Sequence, residues 1–166
     1  GNPKSKEFYE GALLYNAEYF SPSNQLESKI ENGNGIRACR ACNGDLIANE
    51  EYKNGIITCR TEYYQTGPIK STAFYNEDAT RCEKRKFHIT GEPKGIEQWA
   101  HGKQHGISIV FKNGEKYAEV PYNRGMKNGI ERRYRDGHIL IEEISWVNDK
   151  MHGPSHTFID GTISKT

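Results

Sequence analysis

Trp99-Ala-His-Gly102-Lys-Gln-His-Gly106-Ile-Ser-Ile-Val-Phe111-Lys-Asn-Gly114 decides the fold once it is aligned with the two stretches that follow it. They are Tyr122-Asn-Arg-Gly125-Met-Lys-Asn-Gly129-Ile-Glu-Arg-Arg-Tyr134-Arg-Asp-Gly137 and Trp146-Val-Asn-Asp149-Lys-Met-His-Gly153-Pro-Ser-His-Thr-Phe158-Ile-Asp-Gly161. Each opens on an aromatic, has Gly or Asp three residues on and Gly seven residues on, and reaches a second aromatic at twelve. Carrying the spacing backwards gives leading positions Phe8, Ile30, Tyr52, Tyr75, Trp99, Tyr122 and Trp146, which are 22 to 24 residues apart. The plus-three column then reads Gly11, Gly33, Gly55, Asp78, Gly102, Gly125, Asp149, and the plus-twelve column Phe20, Cys42, Tyr64, Phe87, Phe111, Tyr134, Phe158. Such self-similarity is the mark of a tandem repeat. Seven units are expected.

Turn chemistry says what one unit is. The punctuation points carry Asn54-Gly55, Asn113-Gly114, Asp136-Gly137 and Asp160-Gly161, dipeptides that accept the positive φ of tight hairpin turns. Between them lie short alternating segments such as Ile130–Tyr134 and Leu140–Trp146, too short for stable helices and patterned as strands. The expected fold is all-β, an elongated antiparallel meander of about seven tandem β-hairpins. Repeats 8–51 are weak and repeats 52–166 clear, together making one domain. Residues 1–7 are expected to be a disordered or tag-derived N-terminus, with Gly1-Asn2-Pro3 a cloning remnant.

A lone hairpin is marginal in water, so neighbouring units must bury surface together. Equivalent positions of adjacent hairpins lie about 10 Å apart, two strand spacings, which only large side chains span. Two aromatic ladders are therefore expected along one face. Tyr52, Tyr75, Trp99, Tyr122 and Trp146 form the first, and Tyr64, Phe87, Phe111, Tyr134 and Phe158 the second. Each ring buries about 150–250 Å². That offsets an apolar content of 34%, which nears the globular norm of roughly 45–50% only when the 17 glycines are counted. The charge is balanced, 23 Lys plus Arg against 22 Asp plus Glu, which argues against a nucleic-acid coat. No run nears the roughly 20 apolar residues of a membrane helix. No signal-peptide pattern opens the sequence, which reads as a mature or trimmed chain that leaves room for a lost lipid anchor.

The columns resemble MORN repeats, in the shorter variant found in bacterial antitoxin and immunity proteins. Trp99-Ala-His-Gly102-Lys103-Gln-His-Gly106 carries the resemblance most fully. Tyr52-Lys-Asn-Gly55 with Tyr63-Tyr64, and Tyr122-Asn-Arg-Gly125-Met-Lys-Asn-Gly129, carry it in part, and it spans residues 8 to 163. Unit four departs from it, with Asp78 and Cys82 at the two Gly positions, so an altered turn is expected there. The resemblance implies a sheet-like scaffold and a protein that neutralises a co-encoded toxin. It implies neither catalysis nor a cofactor. MORN repeats also serve as accessory and membrane-proximal scaffolds, which is the alternative function.

Candidate chemistry outside the ladders is thin. Cys39 and Cys42 form one C-x₂-C, and Cys59 and Cys82 share the plus-seven slot of adjacent units. One knuckle without a second pair or close histidines is a poor zinc site. Disulfides among the four are the preferred reading, although regular sheet spacing would hold Cys59 and Cys82 near 10 Å, beyond the roughly 7 Å Cα limit. Reduced, half-buried thiols are the other reading. Bridges would place the protein in the periplasm, thiols in the cytoplasm. His101, His105 and His152 stand in turns where Asn128 serves equally, and read as solvated. Glu142 and Glu143 are consecutive on a strand and point to opposite faces, so they form no acid–base dyad. Arg132, Arg133 and Arg135 lie among Glu131, Asp136 and Glu142, which marks a salt-laced face rather than a nucleic-acid patch. Tyr and Arg suit interface hot spots. A one-to-one complex with a toxin or effector is therefore expected, its active site blocked sterically by the face away from the ladders and the hairpin edges of the regular repeats, around Arg133, Arg135 and Glu143.

Overall fold

In the computed structural model, which describes residues 4–165, all regular structure is β-strand and none of the described residues is helical. The chain divides into two compact units, Gly1–Arg81 and Cys82–Thr166. The first carries β1 (Ser5–Glu10), β2 (Leu13–Phe20), β3 (Leu26–Glu31), β4 (Asn34–Arg40), β5 (Leu46–Lys53), β6 (Ile56–Tyr63) and β7 (Ile69–Tyr75). From Arg81 onward come β8 (Arg81–Phe87), β9 (Pro93–Ala100), β10 (Lys103–Gln104), β11 (Gly106–Lys112), β12 (Glu115–Asn123), β13 (Met126–Lys127), β14 (Gly129–Arg135), β15 (Ile139–Val147), β16 (Lys150–Ile159) and β17 (Thr162–Lys165). Within each unit neighbouring strands pair antiparallel, β10 and β11 both lying along β9 and β13 and β14 both along β12, so the expected hairpin meander is present. One expectation needs correction. β1 begins at Ser5 and pairs with β2, so residues 5–7 are strand rather than disordered; Gly1-Asn2-Pro3 lies outside the described residues.

Both turn types follow from local chemistry. The plus-three turns carry consecutive left-handed residues: Asn32-Gly33, Asn54-Gly55, His101-Gly102, Arg124-Gly125 and Asn148-Asp149. Positive φ at both central positions is the hairpin turn whose twist matches its strands. The plus-fourteen turns 113–114, 136–137 and 160–161 repeat it with Asn or Asp before Gly. The earlier plus-fourteen loops 21–25, 41–45, 64–68 and 88–92 are five residues long, with Asn24, Gly44, Gly67 and Gly91 left-handed at the fourth position. In unit four the plus-three turn, too, is a five-residue loop, Asn76–Thr80. Ala79 is left-handed there at φ 59° and Asp78 Oδ1 accepts from the Thr80 N–H at 3.1 Å. The altered turn expected around Asp78 is therefore present.

The plus-three column is small for a reason beyond turn geometry. Gly33 N–H donates to Tyr15 O (2.7 Å), Gly55 N–H to Gly33 O (2.8 Å) and Leu14 N–H to Gly55 O (3.3 Å). Three turns from three repeats are thereby clasped backbone to backbone. A Cβ on Gly33 would lie 2.4 Å from the Gly55 nitrogen, and one on Gly55 2.7 Å from Leu13 Cβ. In the second unit Gly125 N–H donates to Gln104 O at 2.8 Å and Asp149 N–H to Lys127 O at 3.0 Å. Asp149 adds its own carboxylate, which accepts from Lys127 N–H at 2.7 Å, so this column accepts Asp as well as Gly.

The core is thin. In the first unit Leu14, Ala17, Tyr19 and Ile30 pack together, with Ala38 and Tyr52 against them; in the second, Ala118, Val120 and Ile144 are the buried apolar residues. The aromatic columns are half-buried as expected, but they do not share a face. Tyr122 pairs with Lys127, and the Lys127 ammonium lies 4.4 Å from the Trp146 ring centroid and 2.9 Å from Glu131. Trp146 therefore stands on the Glu131 face. Tyr134 belongs to the other one, where its hydroxyl donates to Glu119 at 2.8 Å, and Glu119 is the cross-strand partner of Arg132. Residues paired across a turn share a face, and seven further steps along an alternating strand reverse it.

Two stability outcomes follow from the turns. Gly55→Ala is expected to destabilise the chain by more than about 2 kcal/mol in urea unfolding, from backbone strain plus the clash at Leu13. Ala79→Gly is expected to stabilise it by roughly 0.5–1 kcal/mol, by relieving a left-handed alanine.

Candidate functional site

On one face of the first unit, charged side chains form a continuous chain across the strands. Glu7 on β1 meets Arg37 on β4 at 3.2 Å, and Arg37 meets Glu50 on β5 at 3.7 Å. Arg60 on β6 bridges Glu50 and Glu62, the latter at 3.3 Å, and Ser71 on β7 donates to Glu62 at 2.8 Å. Cross-strand pairing places these groups: Arg37 lies opposite Glu50, Glu50 opposite Arg60, and Glu62 opposite Ser71. Tyrosines rim the chain. Tyr9 and Tyr19 donate to Glu7 at 2.8 and 2.9 Å, and Tyr52 donates to Glu50 at 3.2 Å. Burial and then the bond to Glu7 hold the Tyr19 phenol far above its ordinary range. Burial does most of the same for Tyr52 and Tyr75. All three stay neutral hydroxyl donors. Glu50 is only 8% exposed, and a carboxylate so placed requires its arginines.

The second unit carries a comparable network on each face. On one, Glu131 (3% exposed) accepts from Lys127 and Arg133, both at 2.9 Å, and Arg133 reaches Glu142 at 2.8 Å. Burial opposes ionisation of Glu131, but its bonds to Lys127 and Arg133 win and hold its pKa below the carboxylate range. On the other, Lys116 and Tyr134 both bond Glu119 at 2.8 Å, Lys116 sits 4.1 Å over the Tyr134 ring, and Arg132 meets Glu143 at 2.9 Å. The bonds from Lys116 and Tyr134 hold the Glu119 carboxyl low, while burial and then Glu119 push the Tyr134 phenol up to about 12. Trp99 donates to Glu97 at 3.3 Å, and Lys86 pairs with the same carboxylate.

The residues expected at the interface are thereby separated. Arg133 and Glu143 lie on opposite faces, each paired elsewhere, while Arg135 ends β14 exposed and opposite Ile139. Glu142 and Glu143 do point apart, and Arg132 and Arg133 of the arginine cluster are ion-paired. Among the plus-twelve residues, Tyr64 opens the loop 64–68 rather than ending a strand, and Phe87, Phe111 and Phe158 close theirs half-buried. The disulfide expectation fails in the structure: Cys39, Cys42 and Cys59 are thiols, and Cys82 stands on β8. Cys39 and Cys59 are on strands facing opposite ways, Cys39 with Arg37 and Cys59 opposite Phe74. Burial raises both thiol pKa values. No group of three or more metal-ligating side chains occurs among the described residues. The Glu–Arg chain of the first unit went unread in the sequence. Its signal was present as charged residues two positions from a strand aromatic, as in Glu7-x-Tyr9 and Glu50-x-Tyr52.

No family model matches the chain, and no curated protein matches it. Among solved structures, a mutant of S. aureus TarM in complex with Fondaparinux, alpha-GlcNAc-glycerol and UDP is similar over 61% of this chain and 21% of that one, at 12% identity and TM-score 0.41. A further TarM structure is similar over 67% and 21%, at 14% identity and TM-score 0.42. A structure of accessory secretory protein 1, 2 and 3 in Streptococcus pneumoniae is similar over 66% and 18%, at 14% identity and TM-score 0.31. The chain spans about a fifth of the length of each.

The lowered carboxylates fix a pH dependence. Glu119 and Glu131 titrate below their unfolded value, so their stabilisation is complete above about pH 4.5 and is lost as pH falls through the folded value. Urea midpoints measured from pH 7 to pH 3 are expected to drop on the acid side, and Glu131→Gln is expected to flatten that drop. Parallel acid limbs for the two proteins would contradict the assignment.

Proposed function

We propose that this chain is a binding protein of the immunity or antitoxin kind, which captures a cognate toxin one to one and blocks its active site by occlusion rather than chemistry. The observation that carries the reading is the way tyrosine, tryptophan and arginine side chains are presented. Several stand half-buried on the sheet faces, held by a carboxylate: Arg37 and Tyr52 by Glu50, Trp99 by Glu97, Arg133 by Glu131 and Glu142, Tyr134 by Glu119. Such residues dominate interface energetics when they are centrally placed and desolvated. Fixing them beforehand lowers the ordering cost of association, about 0.5–1.5 kcal/mol for each side chain. The repeat's resemblance to MORN units of antitoxin proteins supports the same reading.

Co-expression with the product of the neighbouring gene tests it. A stable complex of one copy of each on size exclusion, with the partner's toxic activity suppressed, is the expected result. Absence of that complex together with binding to anionic vesicles would replace this reading with a membrane-proximal scaffold.

A further inference from the structure

Arginines on the strand interiors are matched to carboxylates: Arg37, Arg60, Arg132 and Arg133 all have one. One cleft in the second unit breaks the pattern. Its volume is about 460 Å³ and it is lined by Ala100, His101, Lys103, His105 and Arg124, with no acidic residue. None of its four basic side chains has an ion-pair partner among the described residues. Two successive hairpin turns build it, joined by the Gly125 N–H to Gln104 O bond of 2.8 Å.

The backbone supplies a second, independent observation. His101 (φ 49°) and Arg124 (φ 52°) hold the first left-handed position of their turns. At the same position the other two-residue turns use Asn32, Asn54, Asn113, Asp136, Asn148 and Asp160, side chains that tolerate this conformation. A left-handed Arg costs about 1 kcal/mol or more, whereas His is met in this region as Asn and Asp are. The two turns that depart from Asn or Asp are the two that line the cleft, and both substitute a base. Strain at Arg124, where basic side chains converge, points to a binding role.

We propose that this cleft receives an acidic segment of the protein partner, with carboxylates bonded by Lys103 and Arg124 and by the imidazole N–H groups of His101 and His105. The inference rests on the function proposed above and names the chemistry of its ligand. The volume favours a chain segment over a single oxyanion: at about 30 Å³ per water, it would hold some fifteen. Charge complementarity across such a site sets both encounter rate and choice of partner.

Calorimetric titration of the full chain with a hexaglutamate peptide at low salt tests the cleft, with the His101→Asn/Lys103→Gln/Arg124→Asn variant as control. Binding to the wild type that weakens with salt, and that falls at least about tenfold in the variant, is the expected result. The His101→Asn/Arg124→Asn double variant is expected to melt at or above the wild-type temperature, because asparagine suits both turns; this separates lost binding from lost folding. Absence of hexaglutamate binding, equal binding by wild type and variant, or cleft-dependent binding of inorganic phosphate without hexaglutamate would overturn the proposal. The same triple variant titrated with the neighbouring-gene product keeps the two readings apart. Equal affinity for wild type and variant would overturn the cleft and leave the proposed function standing. Cleft-dependent hexaglutamate binding in a chain that forms no complex with that product would uphold the cleft and remove the proposed function.

Discussion

Contact between the turns of successive repeats is the constraint on which the rest depends. A single-layer sheet has no second layer to press its hairpins together, so something along the chain must set their spacing. In the first unit that role falls to bonds among the backbone at Leu14, Tyr15, Gly33 and Gly55. Such bonds require peptide groups to approach without side chains between them. Glycine at plus three therefore serves two demands at one position, left-handed φ and close approach. Asp149 meets them differently, accepting from the neighbouring turn through its side chain as well as donating through its backbone.

With spacing set at the turns, the strand interiors are free to be polar to a degree unusual for a fold centre. Mid-strand positions hold Ala48, Ser71, Ala73, Ser108 and Ala118, small residues that are buried. Glu50 and Glu131 occupy the same central rows and are nearly buried. Each is ion-paired to arginine, and removing either would leave arginine uncompensated where water is scarce. Specific pairing thus replaces aliphatic packing as the source of a single strand register.

Much of this architecture was legible in the sequence, because period, turn dipeptides and strand alternation are all local. The irregularity at Asp78 was legible for the same reason. The placing of both aromatic columns on one face was an error of parity. It depends on which residues pair across a turn and on the register shifts beside Phe8, Phe20, Tyr52, Phe87, Phe111, Tyr134, Trp146 and Phe158. A single bulge changes that count without leaving a compositional trace. The Glu–Arg chain was hidden similarly, since Glu7 and Arg37 lie 30 residues apart and meet only through that register. Candidate site residues fared worst. Arg133 and Glu143, close in sequence terms, are divided by the sheet, and Arg124 drew no notice until its left-handed φ exposed the cost of placing it there.

The opposed aromatic columns have a consequence for mutagenesis. In the second unit one wall displays Trp146 with Lys127, Glu131 and Arg133, and the reverse wall displays Tyr134 with Lys116, Glu119 and Arg132. The two walls differ in chemistry. Substitutions at Arg133 and at Arg132 therefore act on separate sets of ion pairs, one on each side of the sheet.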